Sequence, residues 1–367
     1  VVPVAFEQGV VHRLHKDGQP ELAAFAERTF PFPFLRCFAR LQESWEGAQM
    51  VYLVSSEPKA AMPLRVRRRG GVSIATPMFP PLDGQAQRLV PGDEKRFLDD
   101  AVRYLGDHRL CDRVNQPANW AVFQAVPEGA LSAPFGSYCL DLGGVSTERL
   151  FEGIHGKHRN VIRKAERSGV CVKYGSDQVE AFHRLYVETW ARSERGCEPL
   201  SYFRMLLDLM GEEQAACGVA YFGDEPVGAH VVLWSLYGAY YVYGASAPDP
   251  GVSGAVNFLH WTTIQRMKAA GVARYDFVGS RLSDVSGTRL EGIQRFKARF
   301  GGRLERGYLW KIDLNRSKCR VYDALRAARQ TLRRARKSED IIDEERRKLA
   351  LRPGDRPDYQ VVGTGAP

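Results

Sequence analysis

The run Glu291-Gly-Ile-Gln-Arg-Phe-Lys-Ala-Arg-Phe-Gly-Gly-Arg-Leu-Glu-Arg-Gly-Tyr308 contains the residue with the clearest chemical capacity, Lys297. Its neighbour Phe296 can pack the lysine stem while the ammonium points into a cleft, where a low effective dielectric strengthens its pull on a developing oxyanion. A second reading stands beside it: Arg295, Lys297 and Arg299 alternate, as charges do along a solvated edge. Other residues could grip anions. Arg192 ends a helix predicted over 179–192 and Arg195 lies in the loop after it, and the planar guanidinium fork suits phosphate or carboxylate. Lys157, Arg159, Arg163 and Lys164 fall on neighbouring turns of a helix predicted over 147–168, a stripe able to meet phosphates or simply to face water. His155 and His158 have a spacing that some metal sites use, but no carboxylate or cysteine partner lies nearby in sequence, so no metal is expected.

These groups need elements to hold them. Apolar strands are predicted at 50–54, 62–66 and 72–76, the last two joined across Arg67-Arg68-Arg69-Gly70-Gly71. The same order returns in strands at 220–222, 228–236 and 239–245: Glu57-Pro58, Ala61 and Gly70 lie 168 residues before Glu225-Pro226, Ala229 and Gly238. Turn glycines and prolines sit where backbone geometry demands them, so this reads as a duplicated α/β unit. Alternation puts Tyr241 and Tyr243 on one face of the third strand and Tyr240 on the other. Helices are predicted at 93–105 and 257–270, and further strands at 120–126 and 274–278. The proline-broken aromatic run Phe30-Pro-Phe-Pro-Phe34 is predicted to wedge into a core from a loop.

A chain of 367 residues has room for two globular cores, and its net charge of +9 suits a polyanionic partner. Seven scattered cysteines without a Cys-x-x-Cys pair indicate neither a disulfide frame nor a zinc knuckle. With no long apolar run and no secretory leader pattern at the start, a cytoplasmic location is expected. After Asp313 the chain is rich in Arg and Lys up to Lys348, and the Pro-, Gly- and Asp-containing stretch from Arg352 is expected to be disordered.

Three stretches, Tyr241-Val-Tyr-Gly-Ala-Ser246, Tyr275-Asp-Phe-Val-Gly279 and Gly292-Ile-Gln-Arg-Phe-Lys297, occur in the order found in the Fem family of non-ribosomal peptidyltransferases. The chain resembles that family over roughly residues 41–308, and the last motif is the most specific. The resemblance implies an α/β (α+β) fold of two tandem acetyltransferase-like (GNAT) domains, with mixed sheets flanked by helices. The expected division is 1–145 and 146–315 for the two domains, 316–350 for a basic helix packing back on the first, and 351–367 for the tail. It implies transfer of an amino acid from aminoacyl-tRNA to an amine, above all on a peptidoglycan precursor peptide, without a cofactor. Lys297 would polarise the ester carbonyl, Arg192 or Arg195 would contact diphosphate, and Tyr243 would line the site with Tyr241 on its strand. Asp83, in Pro80-Pro-Leu-Asp-Gly84, would face it from the first domain. The family's early lysine and tryptophan pattern is not clear around Arg36 to Trp45, and no coiled-coil insertion appears in the second domain.

Two other functions remain open at this point. An acyl-CoA-dependent N-acyltransferase needs backbone amides at a helix start to cradle pyrophosphate, and the corresponding stretch, Asp249-Pro-Gly-Val-Ser-Gly-Ala255, has glycines but a proline that removes one donor. A binding module would keep the fold and the basic face without the chemistry. Contact with an anionic membrane through the basic C-terminal stretch is a further expectation.

Overall fold

The computed structural model describes residues 10–13, 41, 44–45, 47–83, 87–191, 197–235, 238–332 and 339–350. The aromatic run at 30–34, the arginines at 192 and 195 and the tail from 351 lie outside them. The first half begins with β1 (Val10–Arg13), β2 (Gln49–Ser56), β3 (Lys59–Arg69) and β4 (Val72–Pro77), and the last two turn on Gly70 and Gly71, both at positive φ. Then α1 (Pro91–Asp107) leads to the two-residue β5 (Arg113–Val114), which runs parallel to β4. The α1 sequence explains its boundaries: Pro91 opens it, Asp93 and Glu94 occupy the first turn, and Phe97, Leu98, Ala101 and Leu105 bury one face.

After β6 (Leu131–Asp141), α2 (Thr147–Gly153), α3 (Gly156–Arg167) and β7 (Cys171–Tyr174), the pattern repeats. Two helices, α4 (Val179–Ala191) and α5 (Leu200–Met210), precede the strands β8 (Ala215–Phe222), β9 (Glu225–Trp234) and β10 (Ala239–Ser246). Helix α6 (Ala255–Ala269) then leads to β11 (Arg274–Asp276), parallel to β10 as β5 is to β4. This recurrence of an antiparallel meander, a helix and a parallel partner is the duplicated unit expected from the turn residues. The starts of β2 and β8, and of β3 and β9, lie 166 residues apart, so the expected register of 168 slips by two. The two Glu-Pro pairs are therefore not equivalent: Glu57-Pro58 forms the β2–β3 turn, whereas Glu225-Pro226 opens β9, after the turn at 223–224.

The chain ends with β12 (Ser280–Arg281), α7 (Arg289–Ala298), β13 (Arg303–Asp313), α8 (Arg316–Leu332) and α9 (Ile341–Lys348). Strand β13 joins the halves: Arg303 to Lys311 pair with β6, while Ile312 and Asp313 pair with β5. The strands therefore form one mixed sheet with the order β1-β2-β3-β4-β5-β13-β6-β11-β10-β9-β8-β7, and β12 added on β6. One buried cluster unites Met50, Tyr52 and Phe79 of the first half with Phe182, Phe203 and Val231 of the second, so the halves share a core. Among the described residues no helix is long and apolar enough to cross a membrane.

Three local expectations are corrected. Trp120–Val126 is not a strand, because the amides of Gln124 and Ala125 donate to the buried Glu94 carboxylate at 2.6 and 3.0 Å and only Phe123 pairs, with Tyr308. The helix predicted over 147–168 is two, α2 and α3. Arg159 takes the carbonyls of Glu152 and Ile154 at 2.5 and 2.6 Å, and the amide of His155 turns away to Arg299 O at 2.9 Å. The C-terminal basic stretch also forms two helices, with Asp340 capping the second through the amide of Asp343 at 2.9 Å. Helix α8 is tied to the first half by Lys318–Asp112 and Arg113–Asp323 pairs, both 2.7 Å, whereas α9 buries Ile342 against Phe135 and Leu309.

Candidate active site

Lys297 lies on the last turn of α7 and is only 8% exposed. A helix rules out the alternating solvated edge: Arg295, two residues earlier, points outward and pairs with Glu291 at 3.2 Å, while Lys297 turns in. The helix stops at Gly301, whose φ of +83° and close approach to Gly153 O leave no room for a Cβ.

The Lys297 ammonium donates to the carbonyl oxygens of Val278 and Gly279, the latter at 2.7 Å. These consecutive residues have φ of +53° and +70°. For a β-branched residue such as Val278 that conformation costs energy and persists only where neighbours impose it. Two neighbours do so. Asp276 accepts the Val278 amide at 2.7 Å on one side, and Lys297 collects the two carbonyls on the other. Burial pushes the Lys297 ammonium down to about 8, against a smaller upward pull from Asp276.

Asp276 connects this turn to the junction of the halves. Ser137 Oγ donates to its Oδ1, and Arg274 approaches Oδ2 at 3.6 Å while bonding Glu305 at 3.0 Å and Cys139 Sγ at 2.7 Å. Burial raises Glu305, but Arg274, with Arg88 and Arg303, more than offsets this and holds its carboxyl below the usual range. Asp276, Arg274, Glu305 and Tyr240 face Phe79, Leu82 and Trp120 of the first half across a cavity of about 30 Å³, room for about one water. The second side of Lys297 is aromatic. Phe296 packs 5.3 Å from His260 and 5.4 Å from His158, and Tyr241 packs 4.5 Å from His260. Burial, with help from His230 and Lys297, pushes His260 well below its ordinary value; burial takes His158 to about 4 and His230 to about 3. All three are neutral at pH 7, so no imidazolium competes with the ammonium.

The structure thus gathers Lys297, Phe296 and Tyr241 and separates Tyr243, Asp83 and the α3 stripe from them. Tyr243 is not on the face of Tyr241: the β9–β10 register shifts between them, and Tyr243 joins the cluster of Tyr240, bonding Tyr202 Oη at 3.0 Å. Asp83, in the first half beside the cavity-lining Leu82, accepts the Gln87 amide at 2.8 Å and so closes its own loop. Of the α3 stripe, Arg159 serves backbone carbonyls and Arg163 lies 5.1 Å over the Phe151 ring, while Lys157 and Lys164 are exposed. His155 caps α3 through the Lys157 amide, and His158 bonds Phe296 O at 3.2 Å. Sequence reasoning missed the roles of Arg274, Asp276, Ser137 and Glu305. The available signal was a carboxylate, Asp276, placed between Tyr275 and Phe277 in a short apolar strand.

A pH prediction follows from Lys297. Its folded value lies below that of an unfolded lysine, so between about 8 and the ordinary lysine range the unfolded chain binds the extra proton. The stability cost of the buried charge is full below about 8 and is relieved as pH rises through that window. Any activity that needs the charge runs the opposite way, falling with an apparent value near 8. Rate and urea-denaturation profiles measured from pH 6 to 10 check both slopes, and Lys297→Met should remove the stability slope.

Residues 155–297 match the family described as acetyltransferase (GNAT) domain. No curated protein matches the chain significantly. Among solved structures, FemX is similar at 13% identity, covering 82% of this chain and 97% of its own, with a TM-score of 0.59. The C-terminal domain of a putative lysylphosphatidylglycerol synthetase from Agrobacterium fabrum is similar at 16% identity, covering 79% and 92%, with a TM-score of 0.50. Residues 155–297 therefore match a GNAT domain, and the chain as a whole shares the fold of FemX.

Proposed function

We propose that the chain is an aminoacyltransferase that forms an amide bond between the aminoacyl group of an aminoacyl-tRNA and an amine acceptor on a peptidoglycan precursor peptide. The observation that carries the reading is the buried Lys297 ammonium, held at the Val278–Gly279 turn beside the carboxylate that lines the junction of the two halves. An aminoacyl ester is already activated, so the protein has only to align the amine and stabilise the oxyanion. Two protons of Lys297 serve the backbone, and the reading assigns the third to the oxyanion. The acceptor nitrogen attacks the ester carbon, the bond to the ribose oxygen breaks, and the proton lost by the amine goes to that oxygen, with a substrate carboxylate as carrier. No cofactor enters this sequence. The two units divide near residue 145 in this reading, where β6 has ended and α2 begins. The likeness to a synthetase named for an aminoacylated lipid supports aminoacyl chemistry on this fold.

The acetyltransferase domain match favours one alternative, an acyl-CoA donor with a small amine acceptor. That donor needs amides at the start of α6. There Gly254, at φ +87°, approaches α3 so closely that a Cβ would lie 2.3 Å from Val161 O. That packing of the helix start against α3 leaves little open space beside Gly254 for a pyrophosphate. Radiolabelled aminoacyl-tRNA and acetyl-CoA, offered separately with a soluble muropeptide, divide the readings: transfer is expected from the tRNA ester only. Transfer from the CoA thioester alone would overturn the proposal, and binding without transfer from either would leave a binding module.

A further inference from the structure

A large concavity among the described residues lies away from the candidate active site. It lies on the outer side of the first half, about 1220 Å³ in volume, and shares no lining residue with the cavity at the junction. Its walls come from three places in the sequence: Arg67 and Arg68 on the β3–β4 hairpin, Arg109 just past α1, and Arg316 and Lys318 at the base of α8. One carboxylate, Asp112, stands among these five cations, and it is already matched by Lys318 at 2.7 Å, by the Ser73 amide at 2.8 Å and by Asn315 at 3.3 Å. Burial pushes its carboxyl up, but the hydrogen bonds and charge of Lys318, with hydrogen bonds from the Ser73 amide and Asn315, more than offset this and keep it below the ordinary range, so it stays ionised and committed inside this set. The side chains of Arg68, Arg109 and Arg316 are exposed and have no ion pair or hydrogen bond among the described residues. Nothing in the fold requires them to converge.

From this convergence we propose that the groove binds the phosphodiester backbone of an RNA. Guanidinium groups brought from three separate segments to one concavity suit a chain of phosphates that enters it and is contacted at several points. A lipid bilayer is flat and could meet only the rim. The exposed Val321 and Leu325 on α8 offer it two apolar side chains, too little for insertion on their own. The inference rests on the proposed tRNA donor and adds where its backbone docks: on the first half, at the hairpin and α8, rather than on the α3 stripe, where two of the four cations already have intramolecular tasks.

The test is direct binding of uncharged tRNA by the full chain, which needs no catalysis. Arg68→Gln with Arg316→Gln is expected to weaken binding by about tenfold or more at roughly 0.1 M salt and to reduce the slope of log K against log salt by about 2, one for each phosphate that is no longer neutralised. Lys157→Gln with Lys164→Gln is expected to leave both values unchanged. Vesicles containing anionic phospholipid serve as the second probe. Wild-type tRNA affinity in the groove variant would overturn the inference even if aminoacyl transfer persists. So would a groove variant that loses vesicle binding while keeping tRNA. Transfer from acyl-CoA alone, with tRNA still bound and weakened by the groove variant, would sink the proposed donor chemistry and leave the groove standing.

Discussion

Lys297→Met is expected to lower kcat by about a hundred- to a thousandfold, the loss typical when one preorganised oxyanion donor is removed. KM for the donor should change little, because the ammonium acts where charge develops and not where the substrate is first held. Methionine matches the lysine stem and keeps the packing of α7 on the turn, but leaves the carbonyls of Val278 and Gly279 without their donor. Each such loss costs about 1–3 kcal/mol, offset in part by removing a desolvated charge. Urea denaturation of the variant at the assay temperature separates a folded, inactive enzyme from an unfolded one. Lys297→Arg is the companion: a guanidinium keeps charge at all pH values, so residual activity in it should lose the fall near 8. Wild-type turnover in folded Lys297→Met would return Lys297 to a structural role, the clamp on the strained turn.

The second large effect falls on stability. Arg274→Met is expected to destabilise the fold by about 3–5 kcal/mol, because it takes the nearest counter-charge from Asp276, 5% exposed, and leaves Glu305, 19% exposed, with only the longer 3.7 Å pair to Arg303. The methionine retains bulk beside Cys139, so the loss is electrostatic rather than a cavity. Adding Glu305→Gln to Arg274→Met should recover part of it, since a neutral amide at that position no longer carries a poorly paired charge. The depressed Glu305 carboxyl gives a further sign. Its contribution is present above the ordinary carboxylate range and fades as pH falls through its folded value, a slope that Arg274→Met should reduce. Equal urea midpoints for the wild type and Arg274→Met would show that the pair contributes nothing.

The two results read different things, although their residues are neighbours. Asp276 accepts from Val278 and faces Arg274, so the ion cluster sets the turn that Lys297 grips. A partial loss of activity in Arg274→Met, with the fall near 8 kept, fits that indirect route.

Local signals fixed the elements that local signals can fix. Strand alternation and turn glycines placed the meanders β2–β4 and β8–β10, and the helices at 93–105 and 257–270 were read within two residues at each end. The failures share a cause. Trp120–Val126 has strand composition, but its amides are claimed by Glu94, thirty residues earlier. The helix over 147–168 has an unbroken helical period, but Arg299 O, far along the chain, takes the His155 amide. Alternation put Tyr243 beside Tyr241 until one extra residue in β10 turned it over.

Residue order alone was enough to establish that the chain is duplicated and that a lysine beside a phenylalanine follows the tyrosine strand, because turn chemistry and side-chain type are properties of neighbouring residues. What that lysine does was set by the packing of distant elements. Whether Lys297 faces water or the Val278 and Gly279 carbonyls depends on where α7 docks, and the carboxylate beside it meets the first half only because β13 carries the chain back between β5 and β6. Those are contacts across a large sequence separation, and no local period encodes them.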